Sequence, residues 1–510
     1  MAKNWNHDRA EKHIERKIDD VKTVTIVDYH RDMSLENIPG NKAYRVDAVH
    51  LYADILNLSD MLHVTTDEGV TCHKRTLRFL NLHYRAVHRI LSRCGTRRVD
   101  FHNQRLHALV AKPSNSETDA EAKRIRRAVA IAQLIIDVLQ ETGDADESIP
   151  SAKVRVGIDS GEALAVNNGR RGGREPLFLG APANHAAKMS GGGSRAGIYL
   201  TNNAREAIDL ATVDKPASTP LTTTEIEKCQ EDADLGVSKD TIIKEWKEDL
   251  KKHPIGAFAF SRQTPPLRTL DITALTPGNS KRQEAASVYA DIDGFTAYVA
   301  KHIDDAPEDV VRVFHVIRAE LDRVLTCDFD GRRIRFIGDC LHGLLCDGTV
   351  HTTDDPETVS TATLCAGALR SSFDLALEKL EAEKIDVEGL GLAIGFEFGP
   401  MTVTRLGMQG DRIRCSVSRG VLTSEAEQSR CGGNETAIGA SAYDAGTQAV
   451  RDLFGSKRKA KDLDYNEAVE ALSEKGDKTA ALAKREAFTL AAPAIASASE
   501  RVVRPYAELK

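Results

Sequence analysis

The 510-residue sequence predicts an α+β chain made of two tandem copies of one βαββαβ unit, the ferredoxin-like order, packed face to face. Three observations predict it. The chain is too long for one ordinary core, a repeat runs in order through most of it, and each copy shows the same alternation of strand and helix patterns.

The repeat begins with Val49–Leu58 (VHLYADILNL) and Ser287–Phe295 (SVYADIDGF), which share YADI after β-branched and apolar residues. Four shared residues recur by chance, but the match continues. Arg98–Val110 aligns with Arg333–Leu345, Val156–Gly161 with Ile394–Gly399, Asn184–Met189 with Thr423–Gln428, and Ala196–Ala204 with Thr436–Ala445, each about 235–240 residues apart. Duplication explains such a run.

YADI closes a β-branched strand in each copy. In the second copy Val310, Val313, Phe314, Ile317, Leu321 and Val324 then recur at helical spacing, with Asp305 and Pro307 as start signals. The first copy has its helix over Thr76–Leu91, stopping near Gly95. A hairpin follows, with Gly338-Asp339 at the tip in one copy and Asn103-Gln104 in the other. A second helix (Ala120–Gln140; Val359–Lys384) leads to a strand ending at Gly161 or Gly399.

The resulting division is a polar N-terminal segment (1–44), a first domain (45–212), a linker (213–282), a second domain (283–456) and a helical tail (457–510). The linker is polar and proline-interrupted, with one helix near Asp240–Lys252. No function is assigned to the tail.

Hydrophobic residues make up 41% and charged residues 28%, as in soluble globular proteins, and the net charge of -7 gives no reason to expect nucleic-acid or membrane binding. The nine cysteines form no C-x-x-C pair, which fits free thiols in a reducing cytosol. The N-terminus lacks the apolar core of a signal peptide, and the apolar stretch Ala128–Leu139 is too short to span a bilayer. A cytoplasmic protein is expected.

Asp291 ends a strand and Asp339 sits at the tip of the neighbouring hairpin, so a ferredoxin-like sheet brings together two carboxylates far apart in sequence. Asp291 alone reads as a turn residue. The pair suits two hard divalent cations, which activate a hydroxyl and neutralise a triphosphate during in-line displacement.

YADIDGFT at Tyr289–Thr296 and IRFIGDCLHGLL at Ile334–Leu345 resemble the metal-binding strand and hairpin of class III adenylate and guanylate cyclases. The resemblance spans roughly residues 45–210 and 283–450. It implies that Asp291 and Asp339 hold two Mg²⁺ or Mn²⁺ ions, with the carbonyl of Ile292 as a further ligand. Gly180–Met189 (GAPANHAAKM) looks like the helix on which the family places an Asn and, four residues later, an Arg. By resemblance Asn184 orients the ribose and Lys188 stabilises charge on the transferring phosphate. Lysine departs from the family pattern and offers a point charge without the guanidinium fork. Arg170, Arg171 and Arg174 are candidates to supplement it. Taken singly, Asn184 also reads as a helix cap and Lys188 as a solvated charge.

The complementary positions are degenerate. Asp54 survives in the first copy, but Gln104 replaces the second carboxylate, and the Asn and Arg positions of the second copy fall on Thr423 and Glu427. One competent site in an intramolecular pseudo-heterodimer is therefore expected. Adenylate cyclases read the base with a Lys in the hairpin strand and an Asp before the Asn helix, where this chain has Asp100 and Leu177. An ionised Asp100 only accepts hydrogen bonds and suits a base with an imino N–H, uracil or guanine. It also reads as a solvent-facing strand residue. The expected substrate is a pyrimidine nucleotide, UTP before CTP, and the chain is similar to the bacterial pyrimidine cyclases of anti-phage signalling. The alternatives are an ordinary guanylate or adenylate cyclase and an inactive nucleotide- or partner-binding module.

Overall fold

The computed structural model describes residues 3–491 apart from 31–32, 64–66, 144–148 and 168–175. The predicted loop arginines Arg170, Arg171 and Arg174, and the end of the tail, lie outside the described residues. Each copy opens on a long strand, Lys42–Ile55 or Ser280–Asp293, which occupies the centre of its sheet. Alternation decides its two faces. Val49, Leu51 and Ala53 point into a core beneath the helices, while His50, Tyr52 and Asp54 occupy the opposite face.

The helix Val70–Arg93 follows in the first copy and Pro307–Arg323 in the second. Next come the hairpins Arg97–His102/Arg105–Val110 and Arg332–Ile337/Cys340–Leu345. The first residue of each tip has a left-handed backbone, at φ 47° for Asn103 and 63° for Gly338, a conformation that Asn and Gly tolerate best. The helices Ala120–Glu141 and Asp355–Ala382 lead to the strands Val154–Asn167 and Gly391–Leu406. In both sheets the hairpin lies on one side of the central strand and this last strand on the other, the ferredoxin-like order.

Those last strands do not stop at Gly161 and Gly399, as the sequence pattern predicts, but run on to Asn167 and Leu406. The extensions are exchanged between the copies. Leu164, Val166 and Leu179 of the first join the core of the second, while Leu406, Ile413, Cys415 and Val417 of the second join the core of the first. A bidentate Arg98–Asp411 pair (2.6 and 2.9 Å) and hydrogen bonds from Arg419 to Glu68 and Leu62 seal the same boundary.

Two segments are more ordered than the sequence pattern indicates. The polar N-terminus forms a helix, His7–Asp20, on the second copy, where Arg9 and His13 meet the buried Glu320 at 2.6 and 2.5 Å. It then crosses to the first copy as Thr25–Asp28, a strand parallel to Lys42–Arg45. The linker holds two helices, Thr223–Ala233 and Lys239–Lys252, instead of one. The first of these is started by a Thr222/Glu225 capping box and anchored by buried Cys229. The tail contributes the helices Tyr465–Glu474 and Lys478–Ala491. Among the described residues no helix is long and apolar enough to cross a membrane.

Candidate active site

The sheet faces turned away from the long helices meet, each covered in part by one short helix (Ala181–Gly191 or Arg419–Ser429), and the polar residues of alternating register gather there. Leu341 faces Ala290 across the central ladder, so Cys340 lies beside Asp291 and Asp339 lies one residue further, at the hairpin tip. Both carboxylates are half-buried. Burial raises the Asp291 carboxyl above its ordinary range, with the charge of Asp293 adding to it. Burial also raises Asp339, with Asp291 adding. Among the described residues neither makes an ion pair. Two close, partly desolvated carboxylates, whose raised state the charge of Arg318 near Asp339 only partly opposes, form an all-oxygen donor set that fits hard divalent ions. The side chain of Ile292 is buried in the core, and its main chain continues the strand at the same edge.

From the other copy, the helix Ala181–Gly191 presents Asn184, whose Nδ2 donates to Thr296 Oγ1 at 3.3 Å. Thr296 lies five residues after Asp291, in the turn of helix that follows the strand Ser280–Asp293. Asn184 is no helix cap, since that position is taken by Gly180. Lys188 stands one turn further on and is exposed. Thr296 is a site residue that the sequence reading did not single out, although it belongs to the YADIDGFT run.

The second cleft is closed from within. Arg105 occupies the position equivalent to Cys340 and pairs with Asp54 at 3.1 Å, while Glu425 approaches it at 3.9 Å. Burial raises both the Asp54 and the Glu425 carboxyls, and Arg105 opposes each shift. A guanidinium thus stands between Asp54 and Glu425, and Gln104 supplies no carboxylate at the position equivalent to Asp339. Asp54→Asn is expected to leave turnover within about twofold of the parent. Arg105→Ala, which strands Asp54 in a desolvated place, is expected to cost about 3 kcal/mol of stability, read by denaturant titration. The Arg105→Met/Asp54→Asn pair should recover most of it.

The helices place the degenerate positions one residue from where the repeat alignment puts them. Gly157 and Gly395 are equivalent strand glycines, and a side chain on either would collide with the helix above: at Ser190 N in one copy, at Gln428 N in the other. With Ser190 and Gln428 in register, Leu422 and Ala426 occupy the Asn184 and Lys188 positions, replacing Thr423 and Glu427. The alignment across the gap before this helix misplaced them. Glu427 instead pairs with Arg430 and Arg458.

Asp100 is half-buried rather than solvent-facing. Its Oδ1 accepts from Phe101 N at 2.7 Å and from Arg335 Nη1 at 2.8 Å. Arg335 occupies the same place in the second copy, so the two equivalent positions meet across the boundary. Leu177 pairs with Val166 in the ladder and is half-buried against the second copy's core.

The histidines on these faces are packed. His107 stacks on Tyr52 and His342 on Tyr289, with centroids 4.1 and 4.3 Å apart, and His50 Nδ1 lies 3.0 Å from His107 Nε2. Burial pushes His50 down to about 3. A histidine held neutral in the fold contributes stability that is complete above its ordinary value near 6.5 and is lost as pH falls from there towards the folded value. Replacing it with Gln is therefore expected to flatten the acid limb of stability by about 1.4 kcal/mol per pH unit below roughly 6.5, read from melting curves at successive pH.

No protein-family profile matches the chain. It is 63% identical over 510 residues to a uridylate cyclase of Pseudomonas aeruginosa, covering 100% of this chain and 99% of the relative. A uridylate cyclase of Rhizobium sp. is 38% identical over 437 residues, 82% of each chain. The crystal structure of a class III adenylyl cyclase-like ATP-binding protein from Pseudomonas aeruginosa superposes with a TM-score of 0.91 at 65% identity, covering 92% of this chain and all of that one. With this similarity along its whole length, and with tandem cyclase domains arranged around the cleft, the chain belongs to the uridylate cyclase family of class III nucleotidyl cyclases.

Proposed function

We propose that the chain converts UTP to 3′,5′-cyclic UMP and pyrophosphate in one cleft, with Asp291 and Asp339 holding two Mg²⁺ or Mn²⁺ ions opposite Asn184 and Lys188. The contact that supports this reading is Asn184 to Thr296, which holds the amide of one copy against the turn that follows the Asp291 strand of the other. The catalytic unit is assigned to 45–212 and 283–456.

Bound divalent ions supply Lewis acidity for the 3′-hydroxyl and charge neutralisation for the triphosphate. The chain's own residues do the rest. Asp291, Asp339 and the Ile292 carbonyl fix where those ions sit. Asn184 presents an amide to the ribose and holds the 3′-oxygen in line with the α-phosphorus. Lys188, unpaired by any described carboxylate, carries its ammonium to the phosphate as negative charge grows there. Asp100 already gives Oδ1 to Arg335, which leaves Oδ2 to accept the N3–H of uracil. The names of the two uridylate cyclase relatives support the choice of base.

The test offers the purified protein all four nucleoside triphosphates together with Mn²⁺ and identifies products by mass spectrometry. Cyclic UMP is expected to dominate, and preferential turnover of ATP would sink the base assignment. A cytoplasmic location belongs to the same proposal and is supported by nine unpaired cysteines. So does a role in defence against phage, which a challenge of cells carrying the parent or the Asp291→Asn gene would decide.

A further inference from the structure

The helix Arg419–Ser429 of the second copy has lost the Asn and Lys of its counterpart, yet it lies directly on the metal-binding sheet. Gly395 beneath it leaves no room for a side chain, so the helix backbone rests on the strand itself. That approach brings Gln428, buried at 9% exposure, within reach of Asp291, and its Nε2 donates to Asp291 Oδ2 at 3.4 Å. In the first copy the equivalent Ser190 turns its hydroxyl back to Ala187 O of its own helix. The amide therefore occurs only in the copy that keeps both carboxylates.

We infer that Gln428 is a positioning residue for the metal site: by holding Oδ2 it fixes the rotation of the Asp291 carboxylate and leaves Oδ1 for an ion. A carboxylate's terminal torsion is broad and roughly twofold, so Asp291 held by the Cys340 thiol alone would sample orientations that do not serve a shared metal with Asp339. Hydrogen bonds to a ligating carboxylate raise metal affinity through this ordering. The helix that lost its catalytic residues thus keeps a task in the working cleft. This inference rests on the reading of Asp291 as a metal ligand.

The experiment titrates Mn²⁺ into the metal-free protein and follows the free-ion signal by electron paramagnetic resonance, without substrate. Gln428→Met keeps the volume and removes the donor. Gln428→Asn keeps the amide and shortens its reach, and serves if the Met variant fails to fold. Each is expected to raise the Kd for Mn²⁺ by about tenfold or more, with the melting temperature of the metal-free protein unchanged and turnover recovered at saturating metal. Asp291→Asn in the same titration should lose the site. If Asp291→Asn loses Mn²⁺ while both Gln428 variants bind like the parent, the positioning role is wrong. If Asp291→Asn also binds like the parent, it is the metal assignment that falls.

Discussion

Asp291→Asn and Asp339→Asn are each expected to lower cyclic-nucleotide output by about a thousandfold or more while the protein stays folded. Each removes one of the two carboxylates that the proposed function makes metal ligands, and neither carboxylate forms an ion pair among the described residues. A bound divalent ion is worth several kcal/mol of transition-state stabilisation, and about 4 kcal/mol corresponds to three orders of magnitude in rate. Direct product measurement at saturating Mn²⁺ checks the loss. Thermal melting gives an independent readout: added Mn²⁺ should raise the melting temperature of the parent by mass action and leave both variants unmoved. Unchanged output from both would favour a non-catalytic module that merely keeps the architecture.

Lys188→Ala is expected to reduce kcat by about a hundredfold with a smaller change in KM, because its charge is needed most when negative charge accumulates on the phosphate. The side chain is exposed, so stability should hardly change. Lys188→Arg restores the residue the family uses. It should retain most of the activity, as a guanidinium and an ammonium reach the same oxygens by different geometry. A uniform rise in KM at constant kcat would place Lys188 in ground-state binding instead. Steady-state kinetics on both variants separates these outcomes.

The parts of this architecture that were legible in the sequence are those written in hydrophobic periodicity. The alternation around YADI located the central strands, and the helical spacing of Val310 to Val324 located the helix behind one of them. Once the sheet order was granted, Asp291 and Asp339 had to be neighbours. The less legible parts are held by charge or by contacts between the copies. The helix His7–Asp20 reads as polar because part of what it docks on is a buried carboxylate, Glu320, and a sequence lists charges without saying which ones meet. Arg105 was visible as a residue but not as the partner of Asp54, which lies on a neighbouring strand. The pairing of Asp100 with Arg335 required knowing that two equivalent positions approach one another. The one-residue error at Thr423 and Glu427 arose where an alignment gap met a helix. There a single step rotates the predicted face by about 100°.

The N-terminal clasp, with its helix on one copy and its strand on the other, has a kinetic consequence. Cyclases assembled from separate subunits must meet before they work, and dilution silences them. Here one covalent connection (the linker) and two non-covalent interlocks (the clasp and the exchanged strand ends with their shared cores) keep the effective concentration of one half near the other independent of how many molecules the solution holds. Output should therefore rise in strict proportion to enzyme from the scarcest amounts upward, with a simple hyperbolic response to nucleotide and no cooperativity between clefts.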